Sequence, residues 1–324
     1  MNELKPAMTD AEKKRQNDMD RLRRELGPVV MAGLEDKRVV EVMVNPDGNI
    51  YLDKVGEGMV LAGKLDANSA FRAVLSIGKL MEKEVTPDSP QLECELPLDG
   101  SRFAGSIPPT ARQAFFAIRK RAMLVFSLED YVRDGILSPQ YCDVLAQAIE
   151  ARKNILVVGG TGSGKTTFAN AILKRVAEVA GAKQRILIIE DTPELQCSAE
   201  NKVELVTSGT VTMNDLLRHA MRLRPDRIVV GETRGKECLA LLKAWNTGHP
   251  GGVSTVHANS AEAGLIRMEQ LIQEAGVPPQ PTLIGEAVNL VAFIERTSTG
   301  RKVSQLARVH GYDAGEQRYL VEAA

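Results

Sequence analysis

The chain has 324 residues, of which 44% are hydrophobic and 26% are charged, an ordinary composition for a globular protein that is long enough for two domains. Its 41 basic and 42 acidic side chains leave a formal charge of −1, so the composition does not indicate the strongly basic domain of a nucleic-acid binder. No apolar run reaches the roughly 18 residues that predict a membrane span, and the charged N-terminus lacks the apolar core of a secretory signal. We therefore expect a soluble protein that is at most attached to a membrane surface.

The first predicted element is a charged amphipathic helix in residues 1–30. Its segment 10–26 is dense in charge. Apolar side chains recur at spacings of three and four and form one narrow stripe: Met19, Leu22, Leu26 and Val30. The simpler interpretation is a helix that packs on its own domain. Docking to a membrane surface or a partner is the alternative, because basic side chains cluster beside the stripe: Arg21, Arg23 and Arg24.

Residues 31–126 are predicted to form a smaller α+β domain. The sequence VVEVMVNPDGNIYLDKVGEG alternates in polarity and turns at residues 45–48, which is typical of a β-hairpin. Residues 68–84 have helical spacing, and the later stretches LECELPLDGSRFAGSIPP and QAFFAIRK indicate further strands. Residues 127–140 lack a long apolar face and contain Gly135 and Pro139, so they are predicted to be a linker.

Residues 141–324 are predicted to form a second, α/β domain. Short apolar runs alternate there with helical stretches: NILVV, RILIIE, KVELV, DRIVVG and GVSTVHA. Continuous apolar strands of this kind indicate a parallel sheet that is covered by helices on both faces.

The segment 159–166 fits the pattern G-x-x-x-x-G-K-[ST] between a predicted strand and a predicted helix. Its glycines let the backbone curl so that N–H groups point at phosphate oxygens, and the following helix adds its positive N-terminal end. Lys165 would place its charge on the β and γ phosphates of ATP, Thr166 would offer a hydroxyl to Mg²⁺, and Thr167 would reach the α-phosphate. The predicted nucleotide contacts are Gly159, Gly160, Thr161, Gly162, Ser163, Gly164, Lys165, Thr166 and Thr167.

Two predicted strands end in acids at the sheet edge where ligands of α/β proteins bind. RILIIEDTPEL ends in Glu190 and Asp191, and RIVVGETRG ends in Gly231 and Glu232. A generic P-loop ATPase has an aspartate for Mg²⁺ where this chain has Gly231, so we expect the ion to contact the carboxylates through water, with Thr166 and Glu232 as its protein contacts. One of Glu190 and Glu232 is expected to polarise the attacking water. A capping or salt-bridge role is the alternative for either acid.

Four motifs then occur in a defined order: GGTGSGKTT, IIEDTPEL, RPDRIVVGETRG and GGVSTVHANS. Together they resemble the Walker A, Asp box, Walker B and His box of the secretion or traffic ATPases, the hexameric motors of type IV and type II secretion, pilus assembly and conjugation. The stretch VVEVMVNPDGNIYLD is similar to the N-terminal sensor domain of that family. The resemblance therefore covers the chain from about residue 35 onward.

The resemblance implies a RecA-like P-loop ATPase domain with a mostly parallel sheet, preceded by a smaller α+β domain, and a Mg²⁺-dependent ATPase that works as a homo-hexameric ring. It implies that Glu190 and Glu232 are the catalytic acids and that His257 senses the γ-phosphate. Arginines of the N-terminal domain would also reach the nucleotide, and Arg102 and Arg119 fall on those positions. Two other arginines lie near enough to be alternatives: Arg112 and Arg121.

Two absences narrow the subfamily. The chain lacks paired cysteines after the Walker B region, where type II secretion and pilus-extension motors carry a zinc module, and it lacks the retraction signature AIRNLL. A conjugation or type IV secretion motor is left, without zinc, and a pilus or type II secretion motor is the alternative. The resemblance implies a cytoplasmic protein, peripheral at the cytoplasmic face of the inner membrane, whose partners are its own copies and inner-membrane components of the apparatus.

Two functions of other classes stay open. One is a non-catalytic switch, in which nucleotide binding alone orders a scaffold. The other is a RecA-like nucleic-acid motor, against which the balanced charge and the lack of a basic, aromatic-rich segment count. No sequence-specific binding of nucleic acid is therefore expected.

Overall fold

The structure is a computed structural model of the chain and describes residues 9–54, 57–120, 125–298 and 300–324. The start of the predicted N-terminal helix, residues 1–8, and Arg121 lie outside the described residues. The chain divides into two compact units, Met1–Met123 and Leu124–Ala324, each with its own core. Within the described ranges, every helix is too short or too polar to span a bilayer.

The described part of the first unit has a six-stranded antiparallel sheet with the order β3-β2-β1-β6-β5-β4. Two helices pack on it. In chain order, the elements are α1 (Asp10–Glu35), β1 (Val39–Val44), β2 (Asn49–Lys54), β3 (Gly58–Lys64), α2 (Ala67–Leu80), β4 (Gln91–Glu95), β5 (Arg102–Ser106) and β6 (Phe115–Arg119). The predicted hairpin is present as β1 and β2, and the α+β class of this unit is confirmed.

The helix α1 belongs to the core of the first unit. Thr9 caps it in a capping box with Glu12, and the backbone bends at Gly27, whose φ is 76°. The predicted apolar stripe faces inward, since three of its side chains are fully buried: Leu22, Leu26 and Val30. The stripe therefore packs on its own domain, as the simpler interpretation expects.

The second unit has an eight-stranded sheet with the order β14-β13-β12-β7-β11-β10-β8-β9. In chain order, its described elements are α3 (Leu128–Arg133), α4 (Pro139–Glu150), β7 (Ile155–Val158), α5 (Lys165–Ala180), β8 (Ile186–Glu190), β9 (Lys202–Val206), α6 (Met213–Ala220), β10 (Arg227–Val230), α7 (Glu237–Asn246), β11 (Val253–Val256), α8 (Ala261–Gln273), α9 (Pro281–Ala287), β12 (Leu290–Thr297), β13 (Gly300–Asp313) and β14 (Arg318–Ala323).

The strands from β12 to β9 are parallel, and β13 and β14 join the sheet antiparallel. Alternate residues of β7 enter two different hydrophobic clusters, Leu156 and Val158 in one and Ile155 and Val157 in the other. Helices therefore cover both faces of the sheet, and the predicted α/β class with a mostly parallel sheet is confirmed.

Residues 127–140 were predicted to be a linker, but in the structure they are partly helical and contribute to the core of the second unit. They contain the short helix α3, capped by Ser127, and the first two residues of α4. Leu128, Tyr131 and Leu137 are buried in the core of the second unit. The apolar face of α3 is one turn long, which is too short to produce a periodic signal in the sequence.

Candidate functional site

The loop between β7 and α5 has the geometry of a phosphate-binding loop. It runs from Gly159 to Gly164, and α5 begins at Lys165 with Gly164 as its N-cap. Gly164 has a φ of 98°, in the left-handed region that only glycine adopts without strain. Thr161 is exposed, Thr166 and Thr167 are partly buried, and Ser163 is buried. The loop therefore presents backbone N–H groups at a helix N-terminus, where phosphate groups bind.

Lys165 lies at the mouth of this loop. Its side chain is buried, and its Nζ donates to the carbonyl oxygen of Gly160 at 2.9 Å. The same Nζ lies 3.2 Å from Nδ1 of His257, the residue that follows β11. Nε2 of the same ring lies 3.4 Å from the Nζ. An ammonium can only donate, so the imidazole is the acceptor in this contact.

Glu232 continues this chain of contacts. His257 Nε2 lies 2.9 Å from Glu232 Oε1, and Arg234 Nη2 donates to Glu232 Oε2 at 2.6 Å. Oε1 is buried, and no donor among the described residues makes a well-aligned hydrogen bond to it. The His257 side chain is 45% exposed, so this histidine is not a core residue. One carboxylate oxygen of Glu232 is thus fixed by a guanidinium while the other faces the imidazole.

Glu190, at the end of β8, is held differently. It is only 5% exposed, and its Oε1 accepts from the backbone N–H groups of Glu194 and Leu195, both at 2.9 Å. Burial raises the pKa of Glu190, and the two backbone hydrogen bonds oppose that rise. A Cβ on Gly231 would lie 2.9 Å from Cγ of Glu190. The Glu190 side chain therefore fills the space next to the strand position where a generic P-loop ATPase has its aspartate.

Glu194 is a site residue that the sequence analysis missed. Thr166 Oγ1 donates to Glu194 Oε2 at 3.2 Å. The loop around it is tied to α5 by Asn170, which donates to the Glu194 carbonyl at 3.2 Å and accepts from Gln196 N at 2.8 Å. The hydroxyl of Thr166 and the carboxylate of Glu194 are oxygen donors of the kind that Mg²⁺ prefers. The one available signal was the position of Glu194 in the IIEDTPEL motif.

In the first unit, the structure brings Arg102 and Arg119 together. They are directly opposite each other on β5 and β6. The same cross-strand row continues to Glu41 beside Arg119 and to Glu95 beside Arg102. Like charges that face each other across a strand pair are unfavourable. The two acids at the ends of the row offset this repulsion. The alternative residue Arg112 is exposed in the loop between the two strands.

Comparisons with known proteins show what the chain and its fold are similar to. The model of the family described as "Type II/IV secretion system protein" matches residues 63–309. The chain is 44% identical over 303 residues to a probable conjugal transfer protein TrbB of Sinorhizobium fredii, covering 94% of this chain and 92% of that protein. It is 30% identical to a type IV secretion system protein PtlH homolog of Bordetella bronchiseptica, covering 89% and 94%. The fold is similar to that of the pilus retraction motor PilT, with a TM-score of 0.60 and 20% identity over 91% of this chain and 82% of that one.

Proposed function

We propose that this chain, which belongs to the type II/IV secretion system protein family, is a Mg²⁺-dependent ATPase. It powers the assembly of a conjugation or type IV secretion apparatus, or substrate transfer through it. The similarity to conjugal transfer proteins over more than nine tenths of the chain supports this branch of the family. A motor of this kind converts the free energy of hydrolysis into movement of its domains.

The observation that carries the proposal is the line of contacts from Lys165 through His257 to Glu232 and Arg234. It connects the lysine of the phosphate loop with a carboxylate that has one buried oxygen without a well-aligned hydrogen bond among the described residues. Its one oxygen is fixed by a guanidinium and its other oxygen faces the His257 imidazole. Such a carboxylate is suited to orient and polarise a water molecule once the imidazole moves to the γ-phosphate. We assign this role to Glu232.

The other roles follow from the contacts. When ATP binds, Lys165 leaves the His257 imidazole and contacts the β and γ phosphates. His257 then contacts the γ-phosphate. Glu190 keeps the loop from Glu194 to Leu195 in place through its two backbone hydrogen bonds. Thr166, Glu194 and Glu232 would hold Mg²⁺, in part through water. When bound, the ion neutralises charge on the phosphate oxygens.

Arg102 and Arg119 complete the proposed site from the first unit. Arg102 and Arg119 are directly opposite each other on neighbouring strands, and guanidinium charge at the γ-phosphate stabilises the transition state of phosphoryl transfer. In this proposal the two units close over ATP, and the chains assemble into a homo-hexameric ring. The ring would work at the cytoplasmic face of the inner membrane, on the membrane-bound parts of the apparatus.

Release of phosphate from ATP by the purified chain tests the proposal. We expect turnover with Mg²⁺ that is lost with EDTA and in Lys165→Ala, because the phosphates lose their fixed counter-charge. Lys153→Ala is the matched control, since Lys153 is an exposed lysine at the opposite end of β7, and it should retain turnover. Binding of ATP without measurable turnover in the wild-type chain would instead identify a non-catalytic switch.

A further inference from the structure

The hairpin of β12 and β13 lies directly beside the phosphate loop. β12 is the neighbour of β7 on the side away from β11. The contact is close, since a Cβ on Gly159 would lie 2.3 Å from the carbonyl oxygen of Ile294 in β12. This part of the hairpin is therefore next to the phosphate loop of the same unit.

Arg301, the second residue of β13, is placed against the loop. A Cβ on Gly164 would lie 3.0 Å from Cδ and 3.2 Å from Nε of Arg301. The Nε atom is buried and has no hydrogen-bond acceptor among the residues that the structure describes. The guanidinium also lies near α3, where its charge opposes the burial that raises the pKa of Tyr131. A buried N–H without an acceptor is unfavourable, so a ligand acceptor at this position would stabilise the arrangement.

The order of the strands indicates which end of the nucleotide lies here. Glu190, Glu232 and His257 follow β8, β10 and β11, which are all on one side of β7. These are the groups that would act on the γ-phosphate. In the proposed site the triphosphate would lie along the loop with its γ-phosphate toward these groups. The nucleoside would then leave the loop on the opposite side, where the hairpin of β12 and β13 is.

We propose that Arg301 binds the nucleoside end of the nucleotide, donating from its guanidinium to a ribose oxygen or a base nitrogen. The aliphatic stem of Arg301 packs on Gly164, and the planar guanidinium can also stack on a base. Arg301 is thus a binding residue for the nucleoside rather than for the phosphates. This inference rests on the proposed function, since it requires that the loop binds a nucleoside triphosphate.

The test compares two ligands, a non-hydrolysable ATP analogue and inorganic tripolyphosphate, each titrated calorimetrically with Mg²⁺ into the full chain. We expect Arg301→Ala to weaken binding of the analogue by roughly 10- to 100-fold, the range for loss of a charge-assisted hydrogen bond, and to leave tripolyphosphate binding unchanged. Arg296→Ala is the matched control, because Arg296 is exposed and pairs directly with Arg301 across the hairpin. It should bind both ligands like the wild type.

Equal weakening of both ligands in Arg301→Ala, or weakening of neither, would overturn the inference. If Arg301→Ala does not fold, Arg301→Lys takes its place, since lysine keeps the charge and the stem but lacks the Nε–H, and the same selective loss is expected. A wild-type chain that binds neither ligand would contradict the proposed function itself. A wild-type chain that binds both, with variants that bind both equally well, would contradict only the role of Arg301.

Discussion

Replacement of Glu190 should separate its structural role from catalysis. Glu190→Ala removes the acceptor of two backbone N–H groups, those of Glu194 and Leu195. A buried donor without a partner costs about 1–3 kcal/mol, and removal of the buried carboxylate offsets part of this cost for the two donors. We therefore expect the free energy of unfolding to fall by about 2–4 kcal/mol. At about 2–4 °C per kcal/mol for a unit of this size, the Tm should fall by about 5–15 °C.

Glu190→Gln should behave differently, and its effect should depend on pH. The amide oxygen can still accept both backbone hydrogen bonds. In the folded wild type, burial raises the pKa of Glu190 above its ordinary value of 4.5, so the folded state binds more protons than the unfolded state between these two values. The contribution of Glu190 to stability is then fully present below pH 4.5 and is lost as pH rises through the pKa of the folded state. Glutamine does not ionise, so Glu190→Gln should not lose this contribution.

Differential scanning calorimetry of the wild type and both variants from pH 4.5 to pH 8 measures these effects. The Tm of Glu190→Gln should lie closest to that of the wild type at the acid end and exceed it at higher pH. Glu190→Ala should melt lowest throughout. A glutamine variant that is as unstable as the alanine variant, or a difference from wild type that does not change with pH, would refute the reasoning.

Three further outcomes are expected. Arg119→Ala should keep its nucleotide affinity but lose turnover together with ATP-dependent assembly in light scattering, while Arg112→Ala, at an exposed position, behaves like the wild type. A wild-type chain that stays monomeric at high concentration and still hydrolyses ATP at the full rate would contradict the ring. Gly231→Ala should displace the Glu190 carboxylate, because the added Cβ would lie too close to it. We expect the free energy of unfolding in chemical denaturation to fall by about 1–3 kcal/mol and phosphate release to be lost. A fully active variant would contradict the packing described for Gly231. Metal analysis should find no zinc, and one tightly bound zinc per chain would contradict the choice of subfamily.

The parts of the fold that depend on long periodic patterns could be predicted from the sequence. Four of the five apolar runs are buried strands of one sheet, NILVV, RILIIE, DRIVVG and GVSTVHA, because continuous burial on both faces excludes polar residues from such strands. The fifth run, KVELV, is the edge strand β9, whose residues are exposed or only partly buried. The phosphate loop was equally clear, since its glycines, Lys165 and Thr166 occur at fixed spacing. The position of Glu190, Glu232 and His257 at one edge then follows from the parallel direction of their strands.

Contacts made by irregular segments could not be predicted in the same way. Glu194 reaches Thr166 through a loop whose conformation is fixed by Asn170 and by Glu190, and no spacing in the sequence encodes that path. Arg301 meets Gly164 because an antiparallel hairpin is added beside the parallel sheet. A contact between residues so far apart in the chain depends on the tertiary arrangement, which local patterns do not specify.

The measurement that tests the central claim most directly is the rate of phosphate release by Glu232→Gln at saturating ATP, with nucleotide affinity measured on the same sample. The amide keeps the size of the side chain but polarises water much less than a carboxylate. We therefore predict a fall in kcat of about 100-fold or more, with affinity close to that of the wild type. The exposed acid Asp191 provides the control variant Asp191→Asn, which should remain active. Undiminished turnover in Glu232→Gln, together with loss of turnover in a folded Glu190→Gln, would contradict the account and exchange the roles of the two glutamates.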